Sequence, residues 1–216
     1  MAIRLLIFDL DGTLVDSSVD ISNALNYAIG PYGIPEVSIS ETIALVGEGL
    51  TRLIGKVIEQ KAPGLDLPPL VDRFLEYYSV HLADNTLPYP GTEKVLQGLG
   101  AYRKAVVSNK TESLSVKVLQ ATGLIRYFDY VAGGDTVSEK KPSPVPILDV
   151  LSRFDAGPEE ALLVGDSIYD IEAGRAAGVK TVAALYGYGT ASFSSQADCR
   201  ITSIEELPEA VRQASG

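Results

Sequence analysis

The 216-residue chain carries a net charge of −10 and a sequence pI near 4.6, with 46% hydrophobic and 21% charged residues. That balance suits one well-packed core, or a core with a smaller insert, and it argues against disorder and against nucleic acid or an anionic membrane as a partner. A single cysteine, Cys199, and a single histidine, His81, exclude an internal disulfide and a cysteine- or histidine-rich metal cluster.

In chain order, residues 3–8 form the first continuously apolar run, IRLLIF, which opens onto DLDGT. The leading MAIRLLIFD is too short for a signal peptide. No apolar run reaches the ~18 residues of a membrane span. The expectation is a soluble, cytoplasmic protein. Residues 17–86 carry no convincing strand and read as several helices, including Ile21-Leu25-Ala28 and Phe74-Tyr77-Tyr78, broken at GPYGIPE, VGEGL and APGLDLPP. A parallel crossover needs only a dozen or more residues, so this stretch is large enough to be a helical cap hinged at LVDS and LPYPG. His81, within YYSVHLADN, reads as a surface or boundary residue.

Short apolar runs resume at residues 105–107, 161–164 and 181–185, the pattern of strands covered on both faces. Helical signals lie between them. Thr111 can cap a helix that stops at Gly123, with Leu114, Val118 and Ala121 on one face. Ser143 reads as an N-cap with Pro144 at the first helical position. Ser167 to Ala177 forms a third helix, stopped at Gly178. Strands alternating with helices imply an α/β fold with a parallel sheet. The expected division is a core of residues 1–15 and 88–216 and a cap of residues 16–87.

Chemistry-bearing residues sit where these apolar runs stop: Asp9, Asp11, Gly12 and Thr13, then Ser108-Asn109-Lys110, then Lys141-Pro142-Ser143-Pro144, then Gly165-Asp166-Ser167-Ile168-Tyr169-Asp170. Parallel strands bring their carboxyl ends together, and ligands bind in the crevice there. Asp9 and Asp11, two residues apart, would leave an extended chain on one face. Their repulsion favours a bound divalent cation or a raised pKa on one of them. A plain D-G turn with Asx hydrogen bonds explains the pair as well. Ser108 by itself is more often a helix cap. Asp170 has a structural explanation as the capping-box partner of Ser167, whereas Asp166 has none.

Taken together, the four segments resemble the four ordered motifs of the haloacid dehalogenase superfamily in its phosphatase form. DLDGTLVDS is similar to the first motif, and Ser108, Lys141 and GDSIYD match the second, third and fourth in order and spacing. The likeness covers essentially the whole chain. It is greatest to the phosphoglycolate phosphatase group, through VGEGLTRLI, LPYPGTEKVL and SNKT. The resemblance implies a Rossmann-like parallel-sheet core with an inserted helical cap, and hydrolysis of a small phosphorylated metabolite, 2-phosphoglycolate above all, by a monomer or homodimer. Pyrophosphate, sugar-phosphate, nucleotide and phosphomutase chemistries share the same machinery.

By the same resemblance Asp9 is the nucleophile and Asp11 the general acid and base. Thr13, Ser108 and the amides of Leu10 and Asn109 hold phosphoryl oxygens, and Lys141 holds the nucleophile and neutralises charge. Mg²⁺ is held by Asp9, the Asp11 main-chain carbonyl and Asp166, with Asp170 behind them. In the cap, Arg52 offers a bidentate partner for a substrate carboxylate. The competing reading is a solvated helix position or a pair with Glu48.

Overall fold

Alternation along the first strand sets the architecture. In a computed structural model describing residues 2–189 and 191–215, β1 (Leu5–Phe8) is buried on both faces. Leu6 and Phe8 enter one core, Leu5 and Ile7 another, as the two-residue period of a strand requires when both faces are covered. Then come β2 (Val15–Asp16), α1 (Ser18–Ile29), α2 (Ile39–Leu45), α3 (Leu50–Lys61), α4 (Leu67–His81) and β3 (Leu87–Pro88). The remainder is α5 (Thr92–Gly98), β4 (Arg103–Val107), α6 (Glu112–Ala121), β5 (Tyr130–Ala132), α7 (Val145–Arg153), β6 (Ala161–Gly165), α8 (Ile168–Ala177), β7 (Lys180–Ala184), β8 (Cys199–Ile201) and α9 (Leu207–Ala214).

The main sheet has the order β5-β4-β1-β6-β7-β8, with every neighbouring pair parallel. The chain starts in the middle, builds outward through β4 and β5, then crosses to β6 on the other side of β1. That reversal is the topological switch point of a doubly wound sheet, where a crevice opens beyond the strand ends. Apolar residues of α7 and α8, among them Ile147, Val150 and Ala173, cover one face. Residues of α5, α6 and α9, among them Leu96, Val118 and Val211, cover the other.

Four helices form the inserted cap. On α4, Leu70, Phe74 and Tyr78 are buried at four-residue spacing, one inward stripe of the helix, and α1 packs along it. Tyr77 lies outside that stripe, stacked on Tyr27 at 4.8 Å and on His81 at 4.3 Å. The cap's apolar interior, including Leu25, Leu53 and Ile54, is continuous with the core under the sheet. The two chain crossings pair with each other as the short ribbon β2–β3, Val15 opposite Pro88 and Asp16 opposite Leu87. Asp20 in α1 ties them further: its carboxylate is 1% exposed and accepts hydrogen bonds from the amides of Asn85 and Thr86 and from the Thr86 hydroxyl. No helix among the described residues is long and apolar enough to cross a membrane.

One local reading is corrected, and two strands lie outside the runs read from the sequence. The helix expected from Ser143 begins at Val145 with Pro144 as N-cap, and Ser143 Oγ only accepts a hydrogen bond from the Val145 amide. Strands β5 and β8, three residues each, sit at the two ends of the sheet order, too short to show a period in sequence.

Candidate active site

At the switch point the ends of β1 and β6 lie side by side, with Phe8 in register with Val164. The chain leaves β1 through Asp9, whose amide still bonds to the Val164 carbonyl at 2.9 Å. It then turns sharply, because Gly12 adopts φ +84°, a conformation glycine reaches without steric cost. The amides of Thr13, Leu14 and Val15 all return to the Leu10 carbonyl.

Asp9, Asp166 and Asp170 bring carboxylate oxygens within 4.8 Å of one another. Lys141 stands among them, its Nζ 2.9 Å from Asp9 Oδ1 and 2.6 Å from Asp170 Oδ1. It is held also by the Val107 carbonyl at 2.7 Å. Asp170 is wholly buried, and its other oxygen accepts from the Ser167 amide and hydroxyl. It therefore belongs to the lysine and the helix start.

Asp166 is bound by the Thr13 hydroxyl at 2.9 Å and the Tyr188 amide at 2.8 Å. Burial pushes the Asp9 carboxyl up to about 7 against the pull of Lys141. Asp166 is raised well above its ordinary range by burial and then by the charges of Asp9 and Asp170. Burial alone would lower Lys141, but Asp170 and Asp9 more than offset it and hold the ammonium charged. Two hard-oxygen carboxylates, both penalised for being ionised, are what a divalent cation relieves. The residues fit such an ion, with Asp9 and Asp166 as its carboxylates.

Asp11 lines the same cavity as Asp9 but has partners of its own. Its Oδ1 accepts from Lys110 Nζ at 2.7 Å and from Ser17 Oγ at 2.5 Å. The two carboxylates thus sit in separate ion pairs, Asp9 with a core lysine and Asp11 toward the cap. Lys110 Nζ also donates to the Tyr78 hydroxyl of α4 at 2.7 Å and lies 4.9 Å from that ring's centroid. Burial opposes the Lys110 charge, but Asp11 and Tyr78 prevail and its pKa is raised. Burial pushes the Tyr78 hydroxyl up to about 12.

Ser108 faces the same cavity and accepts from the Lys110 amide. The Asn109 side chain clasps Lys141, donating to its carbonyl and accepting from its amide, and reaches Gly47 of the cap at 2.7 Å. Thr13 is fully buried with its hydroxyl on Asp166. Arg52 lies apart: its side chain is half exposed, bonded to Glu59 at 2.8 Å and 3.8 Å from Glu48. Sequence reasoning gave no role to Lys110, Tyr78 or Tyr188. Lys110 was visible as the last residue of SNK, whereas the other two come from elements distant in sequence.

A buried acid–lysine cluster at the switch point of a doubly wound sheet, roofed by a helical cap, defines a class of hydrolase. Residues 6–184 match the family model described as haloacid dehalogenase-like hydrolase. The chain is 41% identical over 191 residues to the phosphoglycolate phosphatase of Aquifex aeolicus (strain VF5), covering 86% of each chain. It is 39% identical over 214 residues to that of Chromobacterium violaceum, covering 95% of each. Among solved structures, one described as a predicted phosphoglycolate phosphatase from Haemophilus somnus 129PT superposes with a TM-score of 0.92 at 28% identity, over 96% of this chain and 97% of that one. The chain belongs to the haloacid dehalogenase-like hydrolase family and is a phosphoric monoester hydrolase within it.

Proposed function

We propose that the enzyme hydrolyses 2-phosphoglycolate to glycolate and inorganic phosphate, with Mg²⁺, through an aspartyl-phosphate on Asp9. The observation that carries the mechanism is the separation of the two acids: Asp9 held by Lys141 in the cluster, Asp11 held by Lys110 on the cap side. An Asp9 oxygen attacks phosphorus, and the bond to the leaving alkoxide breaks as Asp11 gives it a proton. Water then attacks the aspartyl-phosphate, Asp11 takes the water's proton, and phosphate leaves with Asp9 restored. Ser108 and the amides of Leu10 and Asn109 hold phosphoryl oxygens, and Lys141 orients Asp9 and offsets negative charge. Thr13 acts through Asp166, and Asp170 keeps Lys141 in place. A divalent cation bound by Asp9, Asp166 and the Asp11 carbonyl supplies further charge neutralisation at the phosphoryl group. Phosphoryl transfer draws its rate from such positioning and charge.

The relatives named phosphoglycolate phosphatase support the choice of substrate. Its carboxylate requires a cation, and among the described residues lining the cavity the cations are Lys110 and Lys140. The test is a panel of phosphate esters assayed for phosphate release with Mg²⁺. 2-Phosphoglycolate is expected at or near the top in kcat/KM, above pyrophosphate, sugar phosphates and nucleotides. A low rank there removes the substrate assignment. Steady phosphate release without an added bisphosphate separates this reading from a phosphomutase.

A further inference from the structure

The space over the acid cluster is much larger than a two-carbon leaving group needs. It encloses about 780 Å³, in the range of pockets that hold drug-sized ligands. Its floor is polar, with Asp9, Asp11, Asp166, Ser108 and Lys110. Its roof is not. The cap contributes Val46, Leu50 and Leu53 around the start of α3 and Val71, Phe74 and Leu75 from α4, and among the described lining residues it contributes no charged side chain.

Displacement in line at phosphorus sends the leaving oxygen to the side opposite Asp9. Asp11, which protonates that oxygen in the mechanism above, lies toward the cap against Lys110 and Tyr78. The alcohol part of the ester is therefore directed into the apolar roof. We infer that the enzyme also hydrolyses monoesters of apolar alcohols, and that its efficiency toward them rises with the apolar area of the leaving group. The inference rests on the phosphatase mechanism and adds a substrate class to it.

A series of n-alkyl phosphates from ethyl to hexyl tests this, because the alcohols differ little in acidity and the chemical step stays nearly constant. With Mg²⁺ present and 2-phosphoglycolate as reference, kcat/KM is expected to rise about fourfold per methylene, the worth of burying one CH₂. Inhibition constants of the matching n-alkyl phosphonates, which the enzyme does not cleave at carbon, should fall along the same slope. Leu75 is partly exposed, and Leu75→Asp should flatten both slopes. A flat alkyl series and flat phosphonate constants, with 2-phosphoglycolate still turned over, would overturn the inference and leave the phosphatase reading intact. No phosphate from any ester would overturn that reading instead. A wild-type slope in a folded Leu75→Asp enzyme would also overturn the assignment to the roof.

Discussion

Gly12 offers a test of how tightly the cluster is built. A methyl group added there would lie 2.2 Å from Asp166 Oδ2, against 3.4 Å or more in ordinary contact. The carboxylate would have to retreat by more than about 1 Å, a misplacement that can cost on the order of 10²-fold in rate. Its bonds from Thr13 and Tyr188, now 2.9 and 2.8 Å, would stretch or break, and hydrogen bonds to a charged group are worth about 1.5–3 kcal/mol each. The left-handed backbone adds roughly 1–2 kcal/mol for any residue with a Cβ. Gly12→Ala is therefore expected to lose about 2–5 kcal/mol in urea unfolding and about 100-fold in kcat/KM for phosphate release.

Two companions separate these causes. Gly187→Ala would place a methyl 2.2 Å from the Gly12 carbonyl oxygen and 2.3 Å from Asp166 Cβ with no left-handed backbone of its own, so it should lose activity by a similar factor or more through the same turn and carboxylate. Gly33→Ala, at φ +69° with nothing within 4 Å, should lose about 1 kcal/mol and keep its activity. If Gly12→Ala stays within threefold of the parent enzyme, Asp166 does not need its present position and the reasoning fails.

Asp9→Asn should abolish turnover and leave no covalent phosphoryl-enzyme. Asp11→Asn should lower kcat by about 10²-fold or more for alkyl esters and less for p-nitrophenyl phosphate, and equal losses on both esters would remove Asp11 from the acid role. Activity should require Mg²⁺ or Mn²⁺ and be inhibited by Ca²⁺, whose looser coordination misplaces the nucleophile; full activity in excess EDTA would refute this. Lys110→Met leaves Asp11 without its mostly buried partner, and urea titration should show a loss of about 3–5 kcal/mol. Arg52→Ala should change kcat/KM for 2-phosphoglycolate less than threefold, since its ion pairs are surface pairs worth about 0–1 kcal/mol. A tenfold loss confined to carboxylate-bearing esters would return Arg52 to the substrate site.

The core strands were legible because burial on both faces leaves a dense apolar signal. Residues 3–8, 161–164 and 181–185 each fall within a residue or two of an observed strand. The residues at their ends are gathered by topology, so the sequence could name Asp9, Lys141, Asp166 and Asp170 as neighbours once the strands were taken as parallel. The division of labour among them was not legible. The Thr13 hydroxyl goes to Asp166, and Tyr188 reaches the same carboxylate from the loop after β7. Asp9 and Asp11 each find a lysine of their own. Such pairings depend on side-chain directions that a tight turn and a long-range contact decide, and no local pattern encodes them.

The cap shows the opposite case, a side-chain placement that local periodicity does encode. Residues 52, 56 and 59 fall at helical spacing i, i+4, i+7, so Arg52, Lys56 and Glu59 share one stripe of α3. Leu53, Ile54, Val57 and Ile58 are buried on another. Glu48 then closes the polar stripe by pairing with both Arg52 and Lys56. That periodicity alone places Arg52 on the outward face, away from a substrate held beneath the apolar one. An anion arriving under the cap therefore meets positive charge on the core side, where Lys140 and Lys110 line the cavity and Lys110 is already held between Asp11 and Tyr78.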